Sequence, residues 1–323
     1  MSEIKVVAGI DIGGTNSVFG LVDGRGNCLS RGKIATEPQQ GPQNLFFDIF
    51  NTIDEMVQNS SDNLELIGIG IGAPNANYYN GTIENPVNLG WGIVDVVKMI
   101  KDHFGLPGAI TNDANAAALG EMEFGNAKGM KNFIEVTLGT GLGSGIIVHG
   151  ELIYGHDGFA GEMGHLTVKP GGRKCGCGRR GCLETYVSAT GVKRTALMMM
   201  AELTVPSSLR TIPPSSLTSK DVYEAAMQGD SLARECFTYT ADVLGYALAD
   251  TTALLSPEAF IFMGGLAKAG DLLFNPAKKA LDKKVLPVFK GKIKLLPSGL
   301  DDDDVAILGS AALIWHEKHT HDQ

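Results

Sequence analysis

Two stretches of the 323-residue chain follow one design, an apolar strand, a turn of glycine and threonine, and an apolar strand that returns. The first is Ala8-Gly-Ile-Asp-Ile-Gly-Gly-Thr-Asn-Ser-Val-Phe-Gly-Leu-Val22, and the second, at a constant offset, is Ile134-Glu-Val-Thr-Leu-Gly-Thr-Gly-Leu-Gly-Ser-Gly-Ile-Ile-Val148. They match in pattern more than in residue identity, as an old duplication would. A fold built on such a pair has two similar lobes, and lobes that face each other create a cleft into which both turns can point. The length agrees, because 323 residues exceed what one core usually organises.

The intervening segments alternate between strand and helix signals. Residues 28–36 alternate like a third strand, and Leu45, Phe46, Ile49, Phe50, Ile53, Met56 and Val57 keep helical spacing. Residues 64–71 read as a buried strand, 93–104 as a helix, 109–111 as a short strand and 114–124 as an alanine-rich helix. Beyond the second hairpin, helices are expected over 189–202, 231–254, 275–287 and 306–316, with a strand at 259–263 ending in Gly264 and Gly265. Residues 205–219, rich in proline and serine, read as a loop, and the acidic run 301–304 as a solvated turn. This predicts an α/β fold with a mainly parallel sheet. The expected lobes are 1–113, completed by a C-terminal helix over 305–323, and 114–304.

Between Gly155 and Glu184 lie Glu162-Met-Gly-His165 and Cys175-Gly-Cys177-Gly-Arg-Arg-Gly-Cys182-Leu-Glu184. Three of the five cysteines fall within eight positions, with a histidine ten residues upstream, and that donor set suits zinc. A Cys-x-Cys disulfide would be strained by its short span. Three thiolates and one imidazole leave no open coordination position, so the expected role is structural. Cys28 and Cys236 read as buried apolar residues. The flanking Glu162 and Glu184, together with His165, Asn88 and Asn112, are groups that pair with the hydroxyls of a polyol.

The glycine turns suit a polyphosphate, which needs many backbone N–H donors at close range. Gly13, Gly14 and Thr15 offer this in the first turn, and Asp11 could hold a magnesium-bound water; Thr140 and Gly141 repeat the logic in the second. Neither a P-loop nor a Rossmann fingerprint occurs. Asp113 stands where a strand ends and a helix begins. It reads either as a helix N-cap or as a carboxylate that takes the proton from an attacking hydroxyl.

The formal charge of -9, without a basic stripe, speaks against nucleic acid as a partner. No apolar run reaches membrane-spanning length and no signal stretch opens the chain, so a cytoplasmic protein with reduced thiols and no membrane partner is expected.

Together Asp11-x-Gly-Gly-Thr15, Asn112-Asp113-Ala-Asn115, Thr137-x-Gly-Thr-Gly-x-Gly143, Glu162-x-Gly-His165 and Cys175-x-Cys-Gly-x-x-Gly-Cys182-x-Glu184 resemble, in order, the motifs of the ROK family of sugar kinases and repressors. The resemblance spans essentially the whole chain and is most like the bacterial glucokinases of that family. It implies a two-lobed ribonuclease H-like fold of the actin and hexokinase type, with a structural zinc loop, usually as homodimers or homotetramers. It further implies ATP and Mg2+ as cofactors and a hexose as substrate, phosphorylated at its 6-hydroxyl. Glucose is the first expectation, with N-acetylglucosamine, N-acetylmannosamine, allose or fructose as alternatives. Asp113 would be the catalytic base, with Asn88, Asn112, Asp113, Glu162, His165 and Glu184 on the sugar. Asp11, Gly13, Gly14, Thr15, Thr140 and Gly141 would face the phosphates, Gly264 and Gly265 the adenosine, and His165, Cys175, Cys177 and Cys182 would ligate zinc. The family's repressors carry a helix-turn-helix ahead of the first turn, and the ten residues before Asp11 give no room for one.

Overall fold

The structure, a computed structural model, describes residues 3–301 and 304–321. Strand β1 (Ile4–Ile12) pairs antiparallel with β2 (Asn16–Asp23), with Asp11 opposite Val18, and β3 (Cys28–Ala35) continues antiparallel to β2. Along β3 alternate residues are half-buried, as period-two patterning predicts. Helix α1 (Pro42–Gln58) leads to β4 (Leu64–Gly72), which runs parallel to β1 on its other side. A small antiparallel sheet of β5 (Ala76–Asn77), β6 (Thr82–Glu84) and β7 (Ile93–Asp95) follows, then α2 (Val96–Phe104). Strand β8 (Gly108–Thr111), parallel to β4, ends the sheet and hands over to α3 (Asp113–Glu123).

The sheet order is β3-β2-β1-β4-β8. A second sheet contains β9 (Phe133–Leu138), β10 (Leu142–Val148), β11 (Glu151–Leu152), β12 (Ala259–Met263) and β13 (Lys294–Pro297), in the order β11-β10-β9-β12-β13. Both sheets therefore read third, second, first, fourth, fifth. In both, the second and third strands are antiparallel, while the fourth is parallel to the first and to the fifth. The duplication read from the turns thus extends to whole-sheet topology.

Helices α4 (Ala189–Glu202), α5 (Ser219–Met227), α6 (Ser231–Leu255) and α7 (Asp271–Lys284) fall between β11 and β13, and α8 (Val305–His321) closes the chain. Among the described residues no helix is long and apolar enough to cross a membrane. The expected acidic turn lies partly outside the described residues, as do the last two positions of the expected terminal helix.

Several boundaries differ from the sequence reading. Residues 93–104 are not one helix, because the Asp95 side chain accepts the Lys98 N–H as an N-cap and leaves Ile93 and Val94 to pair with β6. Helix α5 occupies the end of the expected loop and the residues after it, started by a capping box between Thr218 and Asp221. Helix α7 begins earlier than expected and ends at Lys284, with Pro276 inside it.

Packing divides the chain into a unit of Met1–Met130, Gly145–Gly161 and Ser298–Gln323 and a unit of Lys131–Ser144 and Glu162–Pro297. In the first unit α1 buries Leu45, Phe46, Ile49, Phe50 and Ile53, at roughly 2 kcal/mol each, in a core with Ile10, Phe19, Ile69, Ile71 and Ile110. Helix α8 packs on the same sheet at a distance only glycine permits. A Cβ at Gly70 would lie 1.8 Å from the Ser310 carbonyl oxygen, and one at Gly9 2.1 Å from that of Ile307. Helix α3 meets α8 the same way, where a Cβ at Gly120 would lie 2.9 Å from Gly309 Cα, so α3 packs with the first unit.

Gly70→Ala must push α8 off the sheet, a cost of about 1–3 kcal/mol or more for overpacking. Urea denaturation is expected to show that loss for Gly70→Ala and none for Gly92→Ala, whose Cβ meets nothing within 4 Å. Equal stabilities would contradict the close approach.

Candidate active site and metal centre

In the first unit, the turn between β1 and β2 is closed by the Gly13 N–H donating to the Asn16 carbonyl at 3.2 Å. A Cβ at Gly13 would lie 2.5 Å from that oxygen, so the position requires glycine. Gly14 and Thr15 are exposed, and Asn88 stands beside them, its Cβ 3.7 Å from where a Gly14 Cβ would sit. The buried Thr36, which the motifs do not single out, pins the turn. Its hydroxyl donates to the Gly13 carbonyl at 2.7 Å and lies 3.0 Å from Ser17 Oγ, and its N–H donates to the Thr15 carbonyl at 2.9 Å.

Asp11, one residue before the end of β1, lies opposite Gly72 of β4. Burial, and then the charge of Asp113, push its carboxyl up to about 7. Asn112, not Asp113, is the N-cap of α3, its side chain accepting the Asn115 N–H at 2.7 Å from an extended backbone. Asn115 is itself buried and donates to Thr111 Oγ1 at 3.2 Å. With the cap supplied by its neighbour, Asp113 opens the helix as an exposed carboxylate at the carboxyl end of β8, where α/β sheets bind ligands. One carboxylate oxygen accepts the adjacent Ala114 N–H at 2.9 Å.

The second unit holds the metal-type cluster. Donor atoms of His165, Cys175, Cys177 and Cys182 all lie within 4.8 Å of one another. Cys177 Sγ and Cys182 Sγ are 3.8 Å apart, too far for a disulfide and close to the edge of about 3.8 Å that two thiolates span in tetrahedral zinc with Zn–S near 2.3 Å. His165 Nδ1 is 3.7 Å from Cys175 Sγ, which leaves Nε2 facing Glu162 at 3.8 Å. Burial and the Glu184 carboxylate push the Cys175 thiol up to about 12, so a dication is what would make it a thiolate. The residues present fit a closed tetrahedral zinc site.

This loop is also tied down by protein alone. The Arg173 guanidinium donates to the Thr185 carbonyl at 2.8 Å, the Gly191 carbonyl at 3.1 Å and Thr195 Oγ1 at 3.0 Å, and lies 4.5 Å from the Tyr186 ring centre. Ser188, the N-cap of α4, donates to the Glu184 carbonyl at 2.7 Å. Glu184 is thereby held against the second glycine turn, where a Cβ at Gly141 would lie 2.8 Å from its Oε2. Glu162 is exposed, fixed by the buried Met163 beside it, whose N–H donates to Ser144 Oγ at 3.3 Å.

In the second turn the Gly139 N–H donates to the Gly141 carbonyl at 3.1 Å, and the Ala189 N–H holds the Gly139 carbonyl at 2.9 Å. Thr140 and Gly265 line a cavity of about 550 Å³ that also meets Ser219, Tyr223 and Phe237. Gly264 supports it from behind with φ of +90°, its Cβ position 2.7 Å from the Leu138 carbonyl. The α5 residues of this cavity were missed because all of α5 but Ser219 lies past the expected loop, in a stretch whose sequence shows no clear helical period. Of the remaining thiols, Cys236 is buried against Met199 Sδ at 3.4 Å, whereas Cys28 is only half-buried.

Each unit thus collects its own set: Asp11, the 13–15 turn, Asn88, Asn112 and Asp113 in the first, and the metal cluster, Glu162, Glu184, Thr140, Gly141, Gly264 and Gly265 in the second. The family model described as "ROK family" matches residues 7–317. The glucokinase of Halalkalibacterium halodurans is 35% identical over 316 residues, covering 97% of this chain and 96% of that protein. A crystal structure of a ROK family glucokinase from Streptomyces griseus in complex with glucose and AMPPNP is 33% identical with a TM-score of 0.75, covering 95% of this chain and 98% of that one. A ROK family transcriptional regulator, a homologue of the Escherichia coli MLC protein, superposes with a TM-score of 0.85 at 26% identity, over 96% of this chain and 78% of its own. The match along nearly the full length, together with the α/β fold of doubled sheet order, means that this chain belongs to the ROK family.

Proposed function

We propose that the protein is an ATP-dependent hexokinase that converts glucose to glucose 6-phosphate. The observation that carries this reading is the exposed Asp113 carboxylate at a strand's carboxyl end, in a chain that aligns over 97% of its length with a glucokinase. In the proposed reaction Asp113 accepts the proton of the sugar's 6-hydroxyl as that oxygen bonds to the γ-phosphorus and the bond to the leaving ADP oxygen breaks. A carboxylate is a weak base, so its contribution is mainly to align the hydroxyl. Asn88, Asn112, Glu162, Glu184 and the free Nε2 of His165 bind the other hydroxyls, pairing with groups that both donate and accept.

Gly13, Gly14, Thr15, Thr140 and Gly141 face the phosphates, whose oxygens bind the N–H groups of Gly14, Thr15, Thr140 and Gly141, while the Gly13 N–H stays with the Asn16 carbonyl. The nucleoside fits the 550 Å³ cavity beside Gly264 and Gly265, whose size is typical of small-molecule sites. Asp11 suits the water shell of Mg2+, since a buried carboxylate beside a second one is relieved by a dication; when bound, Mg2+ neutralises charge on the transferred phosphate. Zn2+ in the thiolate cluster fixes where Glu184 and His165 point. We further propose a cytoplasmic homodimer or homotetramer, a location in keeping with five free cysteines.

N-acetylglucosamine, N-acetylmannosamine, allose and fructose are the competing substrates, and a coupled spectrophotometric panel of these hexoses with ATP and magnesium separates them. Highest kcat/KM for glucose is expected. The likeness to repressors supports a second reading, a sugar-responsive regulator. Sugar binding without turnover on any hexose would favour it.

Three outcomes follow from the assigned roles. Asp113→Asn is expected to keep glucose affinity within about twofold while kcat falls by about 10²-fold or more, and unchanged kcat would remove Asp113 as the base. Chelating the metal is expected to abolish glucose binding in calorimetry before circular dichroism reports unfolding, whereas full affinity in metal-free protein would contradict the loop's role. The third concerns pH. The folded carboxyl of Asp11 ionises near 7 and the unfolded one near 3.8, so between these values the folded state holds the extra proton and stability declines as pH rises, levelling off above 7. In magnesium-free protein, Asp11→Asn should flatten that decline in urea midpoints. Identical slopes would show that Asp11 is not held above its usual range.

A further inference from the structure

Thr36 sits outside every motif, yet it decides how the first glycine turn presents its backbone. All described peptide bonds are trans, so within each peptide the C=O and the N–H point in opposite directions. The Thr36 hydroxyl draws the Gly13 carbonyl inward at 2.7 Å, which turns the Gly14 N–H outward. The Thr36 N–H also holds the Thr15 carbonyl at 2.9 Å, which fixes the far side of the same turn. Ser17, fully buried, completes the clamp with its hydroxyl 3.0 Å from that of Thr36.

The second turn repeats the device with different chemistry. Gly139 occupies the place of Gly13, and its carbonyl is drawn inward by the Ala189 N–H at 2.9 Å, which turns the N–H of the exposed Thr140 outward. A carbonyl held at the same point of both duplicated turns, once by a hydroxyl and once by a helix N–H, indicates that the orientation matters more than the group that sets it.

We propose that Thr36 is a positioning residue for nucleotide binding, aiming the Gly14 N–H at a phosphate oxygen while touching no ligand itself. It is 2% exposed and reaches the nucleotide only through the turn. The proposal rests on the reading of this turn as a phosphate cradle. Thr36→Val keeps the shape and the backbone N–H but leaves the Gly13 carbonyl and the Ser17 hydroxyl without their partner, a loss that the turn can relieve by rotating the peptide.

The test compares Thr36→Val, Thr36→Ser and Gly14→Ala in the full chain, measuring KM for ATP and for glucose, Kd for AMPPNP by calorimetry, and the thermal midpoint. Thr36→Val is expected to raise the ATP KM and the AMPPNP Kd by about tenfold with glucose KM within about twofold, and Thr36→Ser to restore both. Gly14→Ala has room for its methyl group, 3.7 Å from Asn88 Cβ, and adds bulk at the exposed turn without displacing backbone, so it tests the cradle directly. If Gly14→Ala weakens AMPPNP and Thr36→Val does not, the role of Thr36 is overturned while the cradle stands. If neither weakens AMPPNP, the cradle reading fails and takes the proposal with it. A Thr36→Val protein that loses thermal stability and weakens ATP and glucose alike also overturns it, because that is what a structural hydroxyl does.

Discussion

A strand that reverses within a few residues must dispose of its peptide carbonyls before its N–H groups can serve a ligand. Both glycine turns meet this constraint by handing a carbonyl to a group from a later segment, Thr36 for Gly13 and Ala189 for Gly139. Thr36 is in reach because β3 lies beside β2 in the sheet order, and Ala189 because α4 begins next to the second turn. The third strand brings Thr36 alongside the first turn, and the start of α4 reaches the second. A phosphate cradle of this type therefore depends on topology before it depends on any charged residue. Glycine matters twice over, in the turns and under α8, where Gly9 and Gly70 let a helix lie almost on the backbone of the sheet that carries Asp11.

The thiolate cluster solves a different problem. Residues 155–184 have little regular structure, and loops without it lose directional control of their side chains. Here four donor atoms gather within 4.8 Å at one end, and Arg173 fastens the same loop to α4 at the other. Glu184 lies between these restraints and against Gly141. Under the proposed function its carboxylate is preorganised for sugar hydroxyls by these restraints, and discrimination against a hexose lacking one hydroxyl would follow from leaving it unpaired.

Much of this was legible from sequence, for identifiable reasons. The hairpins were readable because apolar runs flank glycine turns, and the metal cluster because its donors are close in sequence. Asp113 was readable as a strand-end acid, but that Asn112 takes the cap and frees it required the backbone conformation at Asn112. Thr36 and Arg173 were invisible because their partners are set by strand register and by the fold of the loop, neither of which leaves a local pattern. Helix α5 was lost for a related reason: nine residues with only Val222, Ala225 and Ala226 buried carry too weak a period to outweigh the proline-rich segment before them. The boundary of β7 and α2 was misread because Ile93 and Val94 suit either element until Asp95 caps the helix.

Under the proposed function a phosphoryl group moves from ATP to the primary hydroxyl of glucose. Proton-coupled phosphorus NMR of the purified protein with equal amounts of glucose, ATP and magnesium reads this directly, since a phosphate on carbon 6 couples to two methylene protons. The account predicts a triplet phosphomonoester signal growing in step with ADP. A doublet from transfer to the single-proton anomeric carbon, or inorganic phosphate with no ester at all, would contradict it.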